Sequence, residues 1–277
     1  MENVFGKEKK IDVKLSEQEI KFELKMMLKS IVQIFEKYEL DYSIWAGTLL
    51  GAVRHKGFIP WDDDVDIAIT RSDYEKLLLI IKEDFELQKQ FIGYELGESD
   101  FPFIKYVNKK ICVNSPGLMD KYLWIDIFPI DNVPKRNKVF FLKQHWLSRN
   151  FWIFREINNE IAVSKSNNIV QRFVYCIRKV YLARKTEEYV VGKLINHSKK
   201  YMNIETKYCA NVINGVFQRE VFPSAYMTEY KKIVFEDVET KCIEKNEEWL
   251  TIRYGNYMEI PPVEMQDNHV LDVWKGR

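Results

Sequence analysis

Four carboxylates in five residues, Asp62, Asp63, Asp64 and Asp66, stand between Trp61 and Ile67. Like charges this close repel one another, and a cation relieves the repulsion. On a strand alternate side chains share a face, so Asp64 and Asp66 are expected to point the same way, with oxygen donors suited to Mg²⁺ or Mn²⁺. A solvated turn ahead of a strand has the same composition, so the neighbours decide. Gly47-Thr48 lies upstream at a strand end, where backbone N–H groups and a helix N-terminus can hold a phosphate. Asp126 lies downstream in Trp124-Ile125-Asp126-Ile127-Phe128. An acid flanked by apolar residues is costly unless it is paired or metal-bound. Asp64 and Asp66 are therefore candidate metal ligands, two aligned acids making half a site, and Asp126 is a candidate to complete it.

The elements that must position these groups are read from periodicity and caps. Ser16 and Glu19 form a capping box, and Ile20, Leu24, Met27, Ile31, Ile34 and Tyr38 follow at helical spacing, predicting a helix that ends near Glu39. Tyr42–Ala46 reads as a short strand cut by Gly47, and Thr48–Arg54 as a brief helix. Val65–Ile69 reads as a strand, and Ser72 with Glu75 as a second capping box for a helix to about Phe85. Phe103–Asn108 and Lys110–Asn114 suggest a pair of strands, and Tyr122–Phe128 another, interrupted by Pro129. Later, Glu187–Met202 suggests a helix, Lys232–Val238 a strand, and Asn246–Arg253 a helix stopped at Gly255.

The middle of the chain differs in charge. Residues 135–185 hold twelve Lys or Arg against Glu156 and Glu160, a charge of +10, which leaves −9 on the rest of a chain whose net charge is +1. Two helices are expected there, over 139–161 and 169–182, the second with an apolar stripe of Val170, Phe173, Val174, Ile177 and Tyr181. Phe140, Phe141, Trp146, Phe151, Trp152 and Phe154 load the first with aromatics. Such helices either cover a core with a solvated face or lie on the anionic inner leaflet of a membrane. Peripheral membrane contact is the favoured expectation, with Arg149, Arg155, Arg172 and Arg178 facing lipid. No RNA-binding signature accompanies the basic residues, so no nucleic-acid partner is expected.

The order strand, Gly-Thr, short helix, D-h-D-h (h apolar) and a later h-D-h resembles the nucleotidyltransferase fold of the DNA polymerase β type. The resemblance implies in-line attack on a phosphoryl centre, which needs divalent cations on its oxygens and a carboxylate near the attacking hydroxyl; Asp64, Asp66 and Asp126 are then the expected metal ligands and catalytic residues, with Asp126 orienting or deprotonating the acceptor. The stretch Trp45-Ala46-Gly47-Thr48-Leu49-Leu50-Gly51-Ala52-Val53-Arg54-His55-Lys56-Gly57-Phe58-Ile59-Pro60-Trp61-Asp62-Asp63-Asp64-Val65-Asp66-Ile67 closely resembles the LicD family of lipopolysaccharide or teichoic-acid cholinephosphotransferases. Phe103-Ile104-Lys105, Ile125-Asp126-Ile127-Phe128-Pro129, Val234-Phe235-Glu236 and Tyr254-Gly255-Asn256-Tyr257-Met258 extend the resemblance from about Ile20 to His269. Where the family usually has a proline-containing stretch, this chain has Glu239-Thr240-Lys241-Cys242-Ile243.

The resemblance implies transfer of phosphocholine from CDP-choline to a sugar hydroxyl of a lipid-linked glycan precursor, with a divalent metal and release of CMP. It implies an α+β, nucleotidyltransferase-like mixed-sheet core with a basic helical insertion: 16–133 as catalytic core, 135–205 as insertion, and 206–277 packing back on the core. Gly47, Thr48, Arg54, His55, Lys105 and Trp61 are the expected substrate-binding residues, the basic ones on the donor diphosphate. For the quaternary ammonium, which has no N–H to donate, Trp45, Trp61, Trp124 and Tyr122 are all candidate aromatic faces. The protein is expected in the cytoplasm at the inner face of the membrane. Alternatives are another nucleotide-activated phosphoalcohol as donor, nucleotidyl transfer, a glycosyltransferase using D-x-D, and an inactive scaffold.

Composition sets the outer bounds. With 277 residues, 46 % of them hydrophobic, and only 11 Gly and 8 Pro, the chain is globular rather than fibrous or low-complexity. Cys112, Cys176, Cys209 and Cys242 form no C-x-x-C pair, which argues against a zinc or redox motif and for a reduced setting. Nothing reads as a signal peptide or a membrane span.

Overall fold

The computed structural model describes residues 13–99, 101–113, 121–135, 137–159, 169–214, 221–266 and 272–276. His269, Arg136, Glu160, Lys165 and Asn114 lie outside the described residues.

The chain folds as a mixed sheet with helices. Its strands are β1 (Val13–Lys14), β2 (Tyr42–Ile44), β3 (Asp66–Thr70), β4 (Phe91–Ile92), β5 (Ile104–Val113), β6 (Tyr122–Asn132), β7 (Tyr208–Ala210), β8 (Phe222–Pro223), β9 (Tyr230–Phe235), β10 (Val238–Ile243) and β11 (Val273–Lys275). The main sheet runs β1-β11-β5-β6-β3-β2, with β4 on β5, and β7 joining β6 to β8. Among the described residues only β3 and β6 pair in parallel; the other pairs are antiparallel. The helices are α1 (Glu17–Lys37), α2 (Ala46–Arg54), α3 (Arg71–Glu83), α4 (Phe85–Gln88), α5 (Lys138–Asn159), α6 (Ile169–Leu182), α7 (Glu187–Ser198) and α8 (Asn246–Tyr254). Helix α1 starts at the expected capping box and buries Ile20, Leu24, Leu28, Ile31 and Phe35. It packs against β5, β6 and β10.

Several elements differ from the sequence reading. Helix α3 is capped by Thr70, whose hydroxyl accepts from the Asp73 N–H, two residues before the expected Ser72 cap. The expected strand pair at 103–114 is one strand, β5, with an irregularity between Asn108 and Cys112. Strand β6 runs straight through Pro129. Asp126 N–H donates to Val65 O on the β3 side, so alternate amides, including the missing one of Pro129, face the β5 side. Pairing with β5 has ended there, at Ile104 opposite Ile127, so no ladder bond is lost. The expected strand at 232–238 is a hairpin, β9 and β10, turning at Glu236-Asp237 with Glu236 at φ 58°. It extends past β2, where Ile243 N–H donates to Ser43 Oγ at 3.1 Å.

The basic region forms α5, α6 and α7, with α5 packed against both others. Phe140, Phe141, Phe151 and Phe154 of α5 are buried, whereas Trp146 and Trp152 are exposed. On α6 Phe173, Val174, Ile177 and Tyr181 face solvent rather than a core. Arg155 corrects the expectation that it meets lipid: it is 1 % exposed, its guanidinium 3.9 Å from the Phe101 ring centroid. Charge counting cannot tell which face of a helix an arginine occupies. Among the described residues no helix is long and apolar enough to cross a membrane.

Candidate active site

The first turn of α2 is stitched to the start of β3. Trp45 N–H donates to Asp66 O at 2.8 Å, and Asp66 N–H donates to the buried Thr48 Oγ1 at 2.8 Å. The turn into α2 puts Ala46 at φ 44°. Gly47 follows because a Cβ there would lie 2.6 Å from Asp62 Oδ2. Without one, the Asp62 carboxylate comes against the amide end of α2, where negative charge is favoured.

Strand register does the rest. Asp66 on β3 is the partner of Asp126 on β6, and Asp126 is the partner of Lys105 on β5. Cross-strand partners share a face, so an acid, an acid and a lysine form one row across three strands. Lys105 Nζ is 2.9 Å from Asp126 Oδ1, an ionic contact outside hydrogen-bond alignment. The lysine is buried and its ammonium lies over Phe101 and Trp124, at 3.9 and 4.7 Å from their centroids. Cation–π attraction and the Asp126 charge together compensate its desolvation.

The charge balance of the row is uneven. Burial pushes the Asp66 carboxyl well above the usual carboxylate range, Asp64, Asp126 and Asp62 push it further, and Lys105 only partly opposes them. Asp62 is raised by burial and then by Asp63, against its hydrogen bond with Asp64. Asp64 lies in the segment just before β3 rather than in the strand. Among the described residues no three acidic, His or Cys side chains already converge as a ligand set. The donors are nevertheless all carboxylate oxygens, and an acid buried among three like charges is what a hard divalent cation stabilises. Asp66 and Asp126, with Asp64 beside them, fit Mg²⁺ or Mn²⁺ on that ground.

The other expected residues are spread around this row. Arg54 Nη1 donates to Tyr257 O at 2.8 Å and Glu259 O at 3.1 Å, and its Nε donates to His55 Nε2 at 2.9 Å, so it ties the chain after α8 to the end of α2. Burial, then Arg54, hold the His55 imidazole below its ordinary value. Trp61 is half-buried, edge-on to His55 at 6.1 Å between ring centroids. The candidate aromatic faces thereby separate: Trp45 is buried against Trp249, 4.0 Å away, Trp124 underlies Lys105, and Tyr122 begins β6, four residues before Asp126. Trp61 alone of the four is both partly exposed and in the acid run.

Two contributors carried no assigned role in the sequence. Tyr254, at the end of α8, is 39 % exposed, yet burial around its hydroxyl, with Asp66 and Asp62 nearby, pushes it up to about 12. The Tyr254-Gly255-Asn256 match was its only signal. Glu236, in the hairpin turn, accepts from Phe58 N–H at 3.1 Å, and its own N–H donates to Lys56 O at 2.9 Å. A Cβ on Gly57 would lie 2.1 Å from Glu236 Oε1, so this clamp on the loop before the acid run requires glycine.

Residues 39–173 match the family model described as LicD/FKTN/FKRP, nucleotidyltransferase domain. The chain is 28 % identical, over 84 % of its length and 88 % of the relative's, to the lipopolysaccharide cholinephosphotransferase LicD of Haemophilus influenzae. It is 30 % identical to the ribitol 5-phosphate transferase FKRP of Mus musculus over 37 % of this chain and 23 % of that one. An uncharacterized protein of Rickettsia prowazekii is 42 % identical over 26 % of this chain and 27 % of its own.

Proposed function

This chain belongs to the LicD family, and from that premise we propose that it transfers phosphocholine from CDP-choline to a sugar hydroxyl of a lipid-linked teichoic-acid or lipopolysaccharide precursor, releasing CMP. Its core is then a nucleotidyltransferase-like catalytic domain working at the inner face of the membrane. At the coarser level it is a transferase of a phosphoalcohol, as the named relatives are. The observation that carries the reading is the row of Asp66, Asp126 and Lys105 in register on three strands.

The acceptor hydroxyl attacks the phosphorus that bears choline. A new P–O bond forms, the P–O bond to CMP breaks, and CMP leaves with the electron pair. Asp66 and Asp126, with Asp64, would hold Mg²⁺ or Mn²⁺, which would supply positive charge for the phosphoryl oxygens. Asp126 orients the acceptor hydroxyl and takes its proton. Lys105 fixes the Asp126 carboxylate and offsets its charge. Gly47 admits Asp62 to the amide end of α2 and Thr48 holds the start of β3, while Arg54 and His55, at the other end of α2, offer N–H groups to the donor diphosphate. Trp61 offers the quaternary ammonium an aromatic face.

A second reading, a nucleotide-activated ribitol 5-phosphate as donor, is favoured by the mouse relative. CMP release from CDP-choline, with Mg²⁺ and a lipid-linked glycan fraction, tests both. Release that falls by about 10³-fold or more in Asp66→Asn and Asp126→Asn supports the proposal. Turnover only with the ribitol donor would replace it with the second reading.

A further inference from the structure

Helices α5 and α6 meet at a cleft of about 350 Å³, lined by His145 and Arg149 on α5 and by Gln171, Val174, Tyr175 and Arg178 on α6. Among the described residues neither Arg149 nor Arg178 has a carboxylate partner. The acid within reach, Glu156, is already engaged by the Tyr175 hydroxyl and by Lys179 at 3.3 Å. Burial, and then Arg149, hold the Arg178 guanidinium below its ordinary value. Two guanidiniums facing one cleft without an acid repel, and a phosphate that accepts from both relieves this.

An apolar strip runs beside the cleft. Phe173, Ile177 and Val180 of α6 are 66, 54 and 64 % exposed, and Leu142 of α5 is 69 % exposed. Positions 173, 177 and 180 form one stripe on a helix, adjacent to the stripe of 174 and 178 that lines the cleft. A soluble anion or a nucleic-acid backbone has no use for that apolar surface. The pairing of uncompensated cations with exposed apolar residues fits a molecule that is anionic at its head and apolar behind it.

We propose that the α5–α6 cleft binds the phosphate headgroup of an anionic membrane lipid, with the Phe173-Ile177-Val180 stripe lying in the acyl boundary. The cleft shares no lining residue with the carboxylate row, so the proposal stands or falls apart from the donor chemistry.

Flotation of the full chain with phosphatidylcholine vesicles, with and without phosphatidylglycerol, tests this. Expected is binding to the anionic vesicles only, weakened about tenfold or more in Arg149→Gln/Arg178→Gln, and a comparable loss in Phe173→Ser/Ile177→Ser. Arg172→Gln, a charge removed from α6 outside the cleft, is expected to bind within about twofold of the wild type. All three keep the wild-type unfolding temperature and the same CMP release with detergent-solubilised acceptor. No binding to anionic vesicles by the wild type overturns the proposal. So does equal weakening by Arg172→Gln, which would indicate nonspecific charge, or binding to duplex RNA that both double variants weaken as they weaken vesicle binding.

Discussion

At the residue scale, the candidate site is a question of charge in a buried place. Asp66 is raised above its ordinary carboxylate value by burial first and by its acidic neighbours second. In the folded chain it therefore holds its proton to higher pH than in the unfolded chain. The sign follows: folding is unpenalised below the unfolded value of about 4 and loses stability as pH rises above it. Asp66→Asn is expected to unfold several degrees higher than the wild type near neutral pH in EDTA, and to show no such gain at about pH 4. Thermal melts at the two pH values check this, and an equal shift at both would remove the charge argument. Mg²⁺ is expected to raise the wild-type unfolding temperature and leave that of Asp66→Asn unmoved. The acid run and Asp126 were legible as types and spacing. That Lys105 neutralises Asp126 was not, because their meeting depends on pairing between strands distant in sequence.

At the element scale, strand and helix ends hold the site, and each has a joint that can be broken singly. Arg71, opening α3, binds Asp131 of β6 through Nε at 2.7 Å and Nη2 at 3.2 Å, with both side chains buried. Burial pushes Asp131 up to about 6 despite this partner. Arg71→Met leaves that carboxylate uncompensated and is expected to cost about 3–5 kcal/mol, while Arg71→Met/Asp131→Leu recovers most of it. Denaturant unfolding measures both; a double variant no better than the single would refute the pairing argument. Gly57→Ala drives a methyl into Glu236 and is expected to cost about 1–3 kcal/mol, with Glu236→Ala in the same chain relieving part of it. Helix α1 was legible because its capping box and stripe are local. From sequence β5 looks like two strands and β6 looks cut short at Pro129, because a bulge and a tolerated proline are decided by neighbouring strands, not by the residues themselves.

At the scale of the whole molecule, the basic region divides into arginines that serve the fold and arginines that face out. Arg155 reaches inward to Phe101, the ring over which Lys105 also sits. Arg155→Ala is expected to cost about 2–4 kcal/mol through lost packing, whereas Arg172→Ala on the exposed α6 changes stability by no more than about 0.5 kcal/mol. Unfolding curves of the two separate them, and equal effects would contradict the burial. The +10 of this region was plain in the sequence, but its partition was not, since periodicity shows that a helix has an apolar side without showing what covers it. A last consequence comes from the row of Asp66, Asp126 and Lys105. A slip of β6 by one residue would turn Asp126 to the opposite face of the sheet and leave helix content untouched. Transfer rate recovered after refolding therefore counts the molecules in which three distant strands have found their one alignment, which a circular-dichroism spectrum cannot do.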